Sequence, residues 1–189
     1  MDKINLGIAK QSFTSVVWTH KIHEKCAEIL DKKNNKFKKW NIILVSLVLV
    51  FTILQVKYSQ IEIIGIISIS LTLSEFILLI ITLTYNYGEL AEKHKQFAKS
   101  FLSIREDYLS LIGDIINGNS LDVDFRRNNL KDKLEINNRY APNQVDGAYD
   151  LVVISLGINP NTQTGDYTYS DDEIDRFLPL ELKSTSYNS

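Results

Sequence analysis

Several things are scarce in this chain, and each scarcity excludes a class of protein. One cysteine, Cys26, cannot build a disulfide framework, and three histidines are too few for a structural zinc cluster. Three prolines and eight glycines in 189 residues, with no polar low-complexity tract, exclude a mostly disordered chain. A net charge of −2 offers no overall basicity for nucleic acid. No Gly-rich phosphate loop, Ser/His/Asp constellation or catalytic carboxylate pair at helical spacing can be assembled, so neither an enzyme nor a cofactor or metal site is expected. The run 171–175 is acidic, but as the first turn of a helix those acids are explained by the macrodipole.

Charge is also missing from the middle of the chain, and that absence is informative. Residues 1–39 hold nine Lys against four acids, and 86–189 hold eleven Lys or Arg against seventeen acids. Residues 40–85 hold only Lys57, Glu62 and Glu75. From Trp40 the sequence WNIILVSLVLVFTILQV is uncharged for seventeen residues. As a helix it would span about 26 Å, close to a hydrocarbon core of about 30 Å. A four-residue turn, 57–60, leads into 61–85, long enough for a tilted second span. Both runs are too long for strands. The expectation is an all-α membrane protein: a cytoplasmic N-terminal helix and basic collar (1–39), a two-helix transmembrane hairpin (40–85), a cytoplasmic heptad helix (86–116) and a C-terminal cytoplasmic helical region (117–189).

Positive charge near the spans sets orientation. Residues 20–39 hold seven Lys, and Lys93, Lys95, Lys99 and Arg105 follow the second span, whereas the turn holds Lys57 alone. Both termini are therefore expected in the cytoplasm, with almost nothing outside. Trp40, Tyr58, Tyr85 and Tyr87 stand where interfacial aromatics belong. The collar of Lys32, Lys33, Lys36, Lys38 and Lys39 is expected to set this topology and to contact anionic lipid headgroups, and direct nucleic-acid binding by it is not expected.

Helical periodicity continues on both sides. Phe13, Val16, Val17, His20, Ala27 and Leu30 share one face of a helix over 13–30. After the spans, Leu90, His94, Phe97, Phe101, Ile104, Tyr108, Leu111 and Ile115 alternate spacings of four and three, which is a heptad seam. It can pack on the chain's own N-terminal helix, or it can join subunits of a homo-oligomer. The sequence predicts a break at 117–120, a helix over 121–139, and a helix or strand over 146–157, with Asp146 as cap favouring a short helix. A loop follows over 159–169. Ser170 to Glu173 reads as a capping box whose helix stops at Leu178-Pro179.

The residues with most chemical content lie in the second span. Ser68, Thr72, Glu75, Leu79, Thr82 and Asn86 follow the same four-three spacing, a polar stripe with a carboxylate at its centre. An ionised carboxylate at that depth costs at least about 2.5 kcal/mol, so it should face a bundle interior, a cavity or a pore. In an oligomer a ring of Glu75 could line a cation path. The bland alternative is a structural carboxyl bonded to Ser46 or Thr52 of the first span. The eleven residues from Leu79 to Leu90 make three turns, which would keep stripe and seam in line. His20-x-x-His23 with Cys26 lacks a fourth ligand, and His94 inside the seam reads as a packing or pH-sensitive contact.

Four short segments carry a family resemblance: WTHKIHEKCAEIL, AEKHKQFAKSFLSIRE, NRYAPNQVDGAYD and SDDEIDRFLP. With the two-span hairpin between the first and second, the chain resembles the SLATT family, two-transmembrane effector domains found beside bacterial nucleotide-sensor and nucleotidyltransferase systems. Trp18, Thr19 and Lys21, then His94, Phe101 and Leu102, match its pattern. The tail, Glu173-Ile174-Asp175 and Phe177-Leu178-Pro179, resembles the subfamily that accompanies reverse transcriptases, although Leu182-Lys183 stands where that subfamily ends on Leu-Arg. The resemblance implies a pore-forming or membrane-disrupting effector of anti-phage defence that arrests growth of an infected cell. Its partner would be a reverse transcriptase or nucleotide-signalling protein. A non-conducting membrane anchor for such a partner is the alternative.

Overall fold

A computed structural model describes residues 3–119, 122–156 and 168–183; the greater part of the expected loop over 159–169 lies outside them. The regular structure among the described residues is all helical: α1 (Lys3–Lys57), α2 (Glu62–Tyr85), α3 (Tyr87–Ile116), α4 (Val123–Tyr140), α5 (Ala148–Ser155), α6 (Asp171–Phe177) and a short 3-10 helix (Leu180–Leu182). The chain forms two compact units. One, here the bundle, draws on Met1–Ala27 and Lys93–Ser189; the other, the hairpin, on Glu28–Glu92.

α1 is 55 residues long and starts ten residues before Phe13. The earlier start has a packing reason, because Leu6 and Ala9 extend the buried face that Phe13, Val16 and Val17 continue. Against that face lie Phe101, Ile104, Tyr108, Leu111, Ile112 and Ile115 of α3, with Val123 and Leu130 of α4 and Ile174 and Leu178 at the C-terminal end. Phe13, Phe101 and Leu111 are wholly inaccessible. Truncating an aromatic in such a core costs about 3–5 kcal/mol. α3 ends in a Schellman turn: Gly118 has φ 71°, its N–H donates to the Ile115 carbonyl (3.3 Å), and the Asn119 N–H donates to Asp114 (2.9 Å).

The remaining helices of the bundle are fixed by specific bonds. α4 is tied to α3 by Arg126–Asp114 (2.5 Å), Lys133–Asp107 (3.1 Å) and a reciprocal pair between Ser100 and Asn137. The segment expected as helix or strand is helical over Ala148–Ser155, but Asp146 does not cap it. Gly147 occupies the cap position at φ 80°, where a left-handed residue is needed and glycine has no steric penalty. The expected capping box of α6 is present, Ser170 Oγ accepting from the Glu173 N–H and the Glu173 carboxylate accepting from the Ser170 N–H. The Gln11 side chain clamps Tyr169 at both backbone groups, at 2.7 and 2.9 Å.

In the hairpin the same helix α1 meets α2. Among the less exposed positions, Asn41, Leu44, Val48, Phe51 and Gln55 on α1 and Ile64, Ser68, Leu71, Glu75, Leu78 and Thr82 on α2 follow four-three alternation, with Leu54, Gly65 and Ile81 beside them. Near the turn Gly65 faces the Gln55 amide, and a Cβ there would sit at an ordinary contact distance of 3.4 Å. Only Ser68 of α2 is fully buried. Twenty-two exposed large hydrophobics lie between Trp40 and Tyr85. Both helices are long and apolar enough to cross a membrane, and their apolar windows are 0% and 6% buried. A surface of that kind needs an apolar solvent.

Candidate functional site

The polar stripe of α2 is split between two environments. Ser68, Glu75 and Thr82 lean into the contact with α1, while Thr72 and Leu79 are exposed along its flank. The Thr72 and Thr82 hydroxyls donate to their own helix, at the carbonyls of Ser68 (2.9 Å) and Leu78 (2.8 Å). Glu75 instead bonds across the hairpin. Its Oε1 accepts from Asn41 Nδ2 at 3.0 Å, and its Oε2 is buried with no partner.

That partner differs from the alternative weighed from sequence. Ser46 and Thr52 donate to their own helix, at Ile42 and Val48, both at 2.7 Å. A β-hydroxyl in a helix reaches the carbonyl four residues back, so it is occupied before it can cross to a neighbour. Asn41 has a carboxamide on a longer stem and lies one residue into the apolar run of α1. Glu75 is therefore held toward the Trp40 end of the hairpin.

Asn86 has a role of its own. It adopts φ 32° and ψ 53°, ending α2 by donating its N–H to the Thr82 carbonyl (3.2 Å). Its side chain then starts α3, Oδ1 accepting from the Glu89 N–H (3.3 Å) and Nδ2 donating to the Glu89 carboxylate (2.6 Å). The two helices are separate at this point, so the helical phase expected to run from Leu79 to Leu90 is interrupted. The Asn-x-x-Glu pattern was the available signal. Just beyond it, Tyr87 stacks on Phe37 (5.5 Å between ring centroids) with Lys33 over its face (5.9 Å). Gly88 lets Asn34 approach: a Cβ there would be 3.0 Å from the Asn34 amide.

The seam residues fall on both units. Leu90 lies in the hairpin and is half-buried. Within the bundle, His94, Phe101, Ile104, Tyr108, Leu111 and Ile115 are buried and Phe97 packs at the edge. Six of the eight positions are thus filled within one chain, largely by α1.

The chain's three histidines meet in the bundle, which spacing alone could not show for groups 71 residues apart. The Nδ1 atoms of His23 and His94 are 2.8 Å from each other. Two ring nitrogens at that distance share one proton. His94 Nε2 is buried without a partner, and an unmet lone pair is cheaper than an unmet N–H. The economical assignment makes His94 Nδ1–H the donor and His23 Nδ1 the acceptor. Burial, followed by repulsion from His94 and His20, holds His23 down at about 4, and burial lowers His94 as well. His23 also stacks on Phe101, at 5.3 Å and 13°. His20 Nδ1 lies 2.8 Å from the Ala98 carbonyl, and its Nε2 lies 3.4 Å from Glu24. No group of three or more His, Cys, Asp or Glu among the described residues could hold a metal ion.

The segments that carried the resemblance converge on the bundle's interior. Trp18 stacks on Tyr149 (5.9 Å) and packs on Val152 and Val153, with Phe177 at the edge. Cys26 Sγ accepts from the Val145 N–H (3.3 Å), and burial raises its thiol. These motif residues assemble the unit.

Two apolar helices in a hairpin, continuous with a helical bundle built from the flanks, define a two-span membrane-type helical protein. Residues 6–173 match the family described as SMODS and SLOG-associating 2TM effector domain family 4, and the chain belongs to that family. No curated protein and no solved structure matches it.

Proposed function

We propose that this protein is the membrane effector of a bacterial anti-phage system, which assembles as a homo-oligomer and permeabilises the inner membrane to arrest growth. The observation that carries this reading is the Glu75 carboxyl, half-satisfied by Asn41 inside a hairpin whose outer surface is apolar. Such a group is costly in hydrocarbon and is relieved by a wet path. Oligomers that bring the exposed flank of Thr72 and Leu79 together would give Glu75 that path, and a ring of carboxylates favours cations. Family membership supports effector action beside nucleotide-sensing systems. The narrower partner in this proposal is a reverse transcriptase or nucleotide-signalling protein encoded nearby. Action is by membrane opening, with no catalytic step.

In this reading the bundle and both termini face the cytoplasm, the side that the lysines flanking the hairpin favour. Reporter fusions at residues 1 and 189 should both be active only as cytoplasmic reporters; one periplasmic terminus refutes this. A second reading, a non-conducting anchor, is favoured by one observation: most of the heptad seam is packed inside the chain and is not free to join subunits. Induced expression with a membrane-potential dye separates the two. Depolarisation before loss of growth supports the effector; growth arrest at full potential supports the anchor.

A further inference from the structure

The collar is not a uniform ring of charge. On α1, Asn34 and Phe37 turn toward the start of α3, where Gly88 and Tyr87 meet them. Lys32, Lys36 and Lys39 stand at i, i+4 and i+7 and are exposed. At about 100° per residue these three fall within about 60° of one another, on the side away from Asn34 and Phe37. Lys32 is paired with Glu28 at 2.7 Å. Lys36, Lys38 and Lys39 pair with no carboxylate among the described residues. The next residue, Trp40, is 53% exposed and begins the apolar run. Helix α1 is unbroken through this region, so the ammonium groups are carried at a fixed height just before the hydrocarbon-facing surface.

We propose that the Lys32–Lys36–Lys39 face of α1 is a binding surface for the phosphate of anionic phospholipid headgroups, selecting them over zwitterionic ones. A phosphodiester with net negative charge meets Lys36 and Lys39, which pair with no carboxylate among the described residues, beside the Glu28-paired Lys32, and its acyl chains run beside Trp40 and the apolar face below. A zwitterionic headgroup brings its own cation to the same place and gains little. Near a membrane surface each such lysine enriches anionic lipid about fivefold. The inference rests on membrane placement of the hairpin and is independent of conductance.

The test reads lipid contact at Trp40. The full chain is placed in nanodiscs of mixed phosphatidylglycerol and phosphatidylcholine, with bromine on the acyl chains of one lipid or the other at equal mole fraction. Protein carrying Trp40→Phe supplies the background from Trp18, which is buried in the bundle. Brominated phosphatidylglycerol should quench Trp40 at least about twofold more than brominated phosphatidylcholine, and Lys36→Gln with Lys39→Gln should equalise them. Equal quenching in the wild type overturns the proposal while leaving the membrane placement intact. No quenching by either lipid overturns both. A labelled single-stranded oligonucleotide that binds through Lys36 and Lys39 in phosphatidylglycerol discs also overturns it, since the collar would then prefer nucleic acid.

Discussion

The bundle and the hairpin share α1 and share its four-three spacing, yet they bury very different amounts. In the bundle, α1 and α3 enclose Phe13, Phe101 and Leu111 completely. In the hairpin, the same geometry buries Ser68 alone of α2 and leaves Asn41 and Glu75 to meet at the contact. Spacing gives the face; the size and chemistry of the residues on it decide how self-sufficient the contact is. The bundle carries its own core, whereas the hairpin relies on what surrounds it.

That contrast can be broken most forcefully from the bundle side. Phe101→Asp combined with Phe97→Asp places carboxylates in and beside a filled core, and an unpaired buried charge costs several kcal/mol. The bundle should lose its cooperative thermal transition while the hairpin still inserts. Were the two residues exposed to a second subunit instead, the variant would dissociate an oligomer and keep its melting temperature. Melting by circular dichroism, read with light scattering, separates these outcomes.

Acid should act on the bundle next most strongly. His23 is held at about 4 in the folded chain against 6.5 for an unperturbed histidine, so between those values the unfolded chain binds more protons. The contribution to stability is complete above about 6.5 and is lost as pH falls toward 4. His23→Gln should flatten that part of the stability–pH curve, measured by denaturant unfolding at fixed steps. A curve unchanged by the substitution would mean that other groups carry the acid sensitivity.

Asn86→Ala gives the smallest change. It removes the cap of α3 and puts at positive φ a residue that tolerates the left-handed region less well than asparagine, for about 1–2 kcal/mol in all. Amide exchange should accelerate at the first turn of α3 and leave the middle of α2 unaffected. Uniform exchange along both helices would show that Asn86 is not a boundary.

How far the sequence foretells this structure depends on the range of the interaction. Both apolar runs, the seam and the Ser170 capping box are legible because each is a local pattern, repeated or read within one turn. The Asn86 break was legible too, from Asn-x-x-Glu, but a polar stripe running through the same residue masked it. The Asn41 partner of Glu75 was not: it depends on the register that the turn imposes and on which side chains are already spent on their own helix. The His23–His94 pair and the Cys26–Val145 contact join segments 71 and 119 residues apart, and neither segment signals the other. The start of α1 at Lys3 was missed because Leu6 and Ala9 are too sparse a signal without α3 and α4 against them.

Conductance in planar bilayers tests the central claim, that the hairpin opens the membrane through the face holding Glu75. Wild-type protein should pass cations, Glu75→Gln should change the selectivity, and Glu75→Leu should insert normally and fall silent. Full conductance with unchanged cation preference in the Glu75→Leu protein would contradict the account.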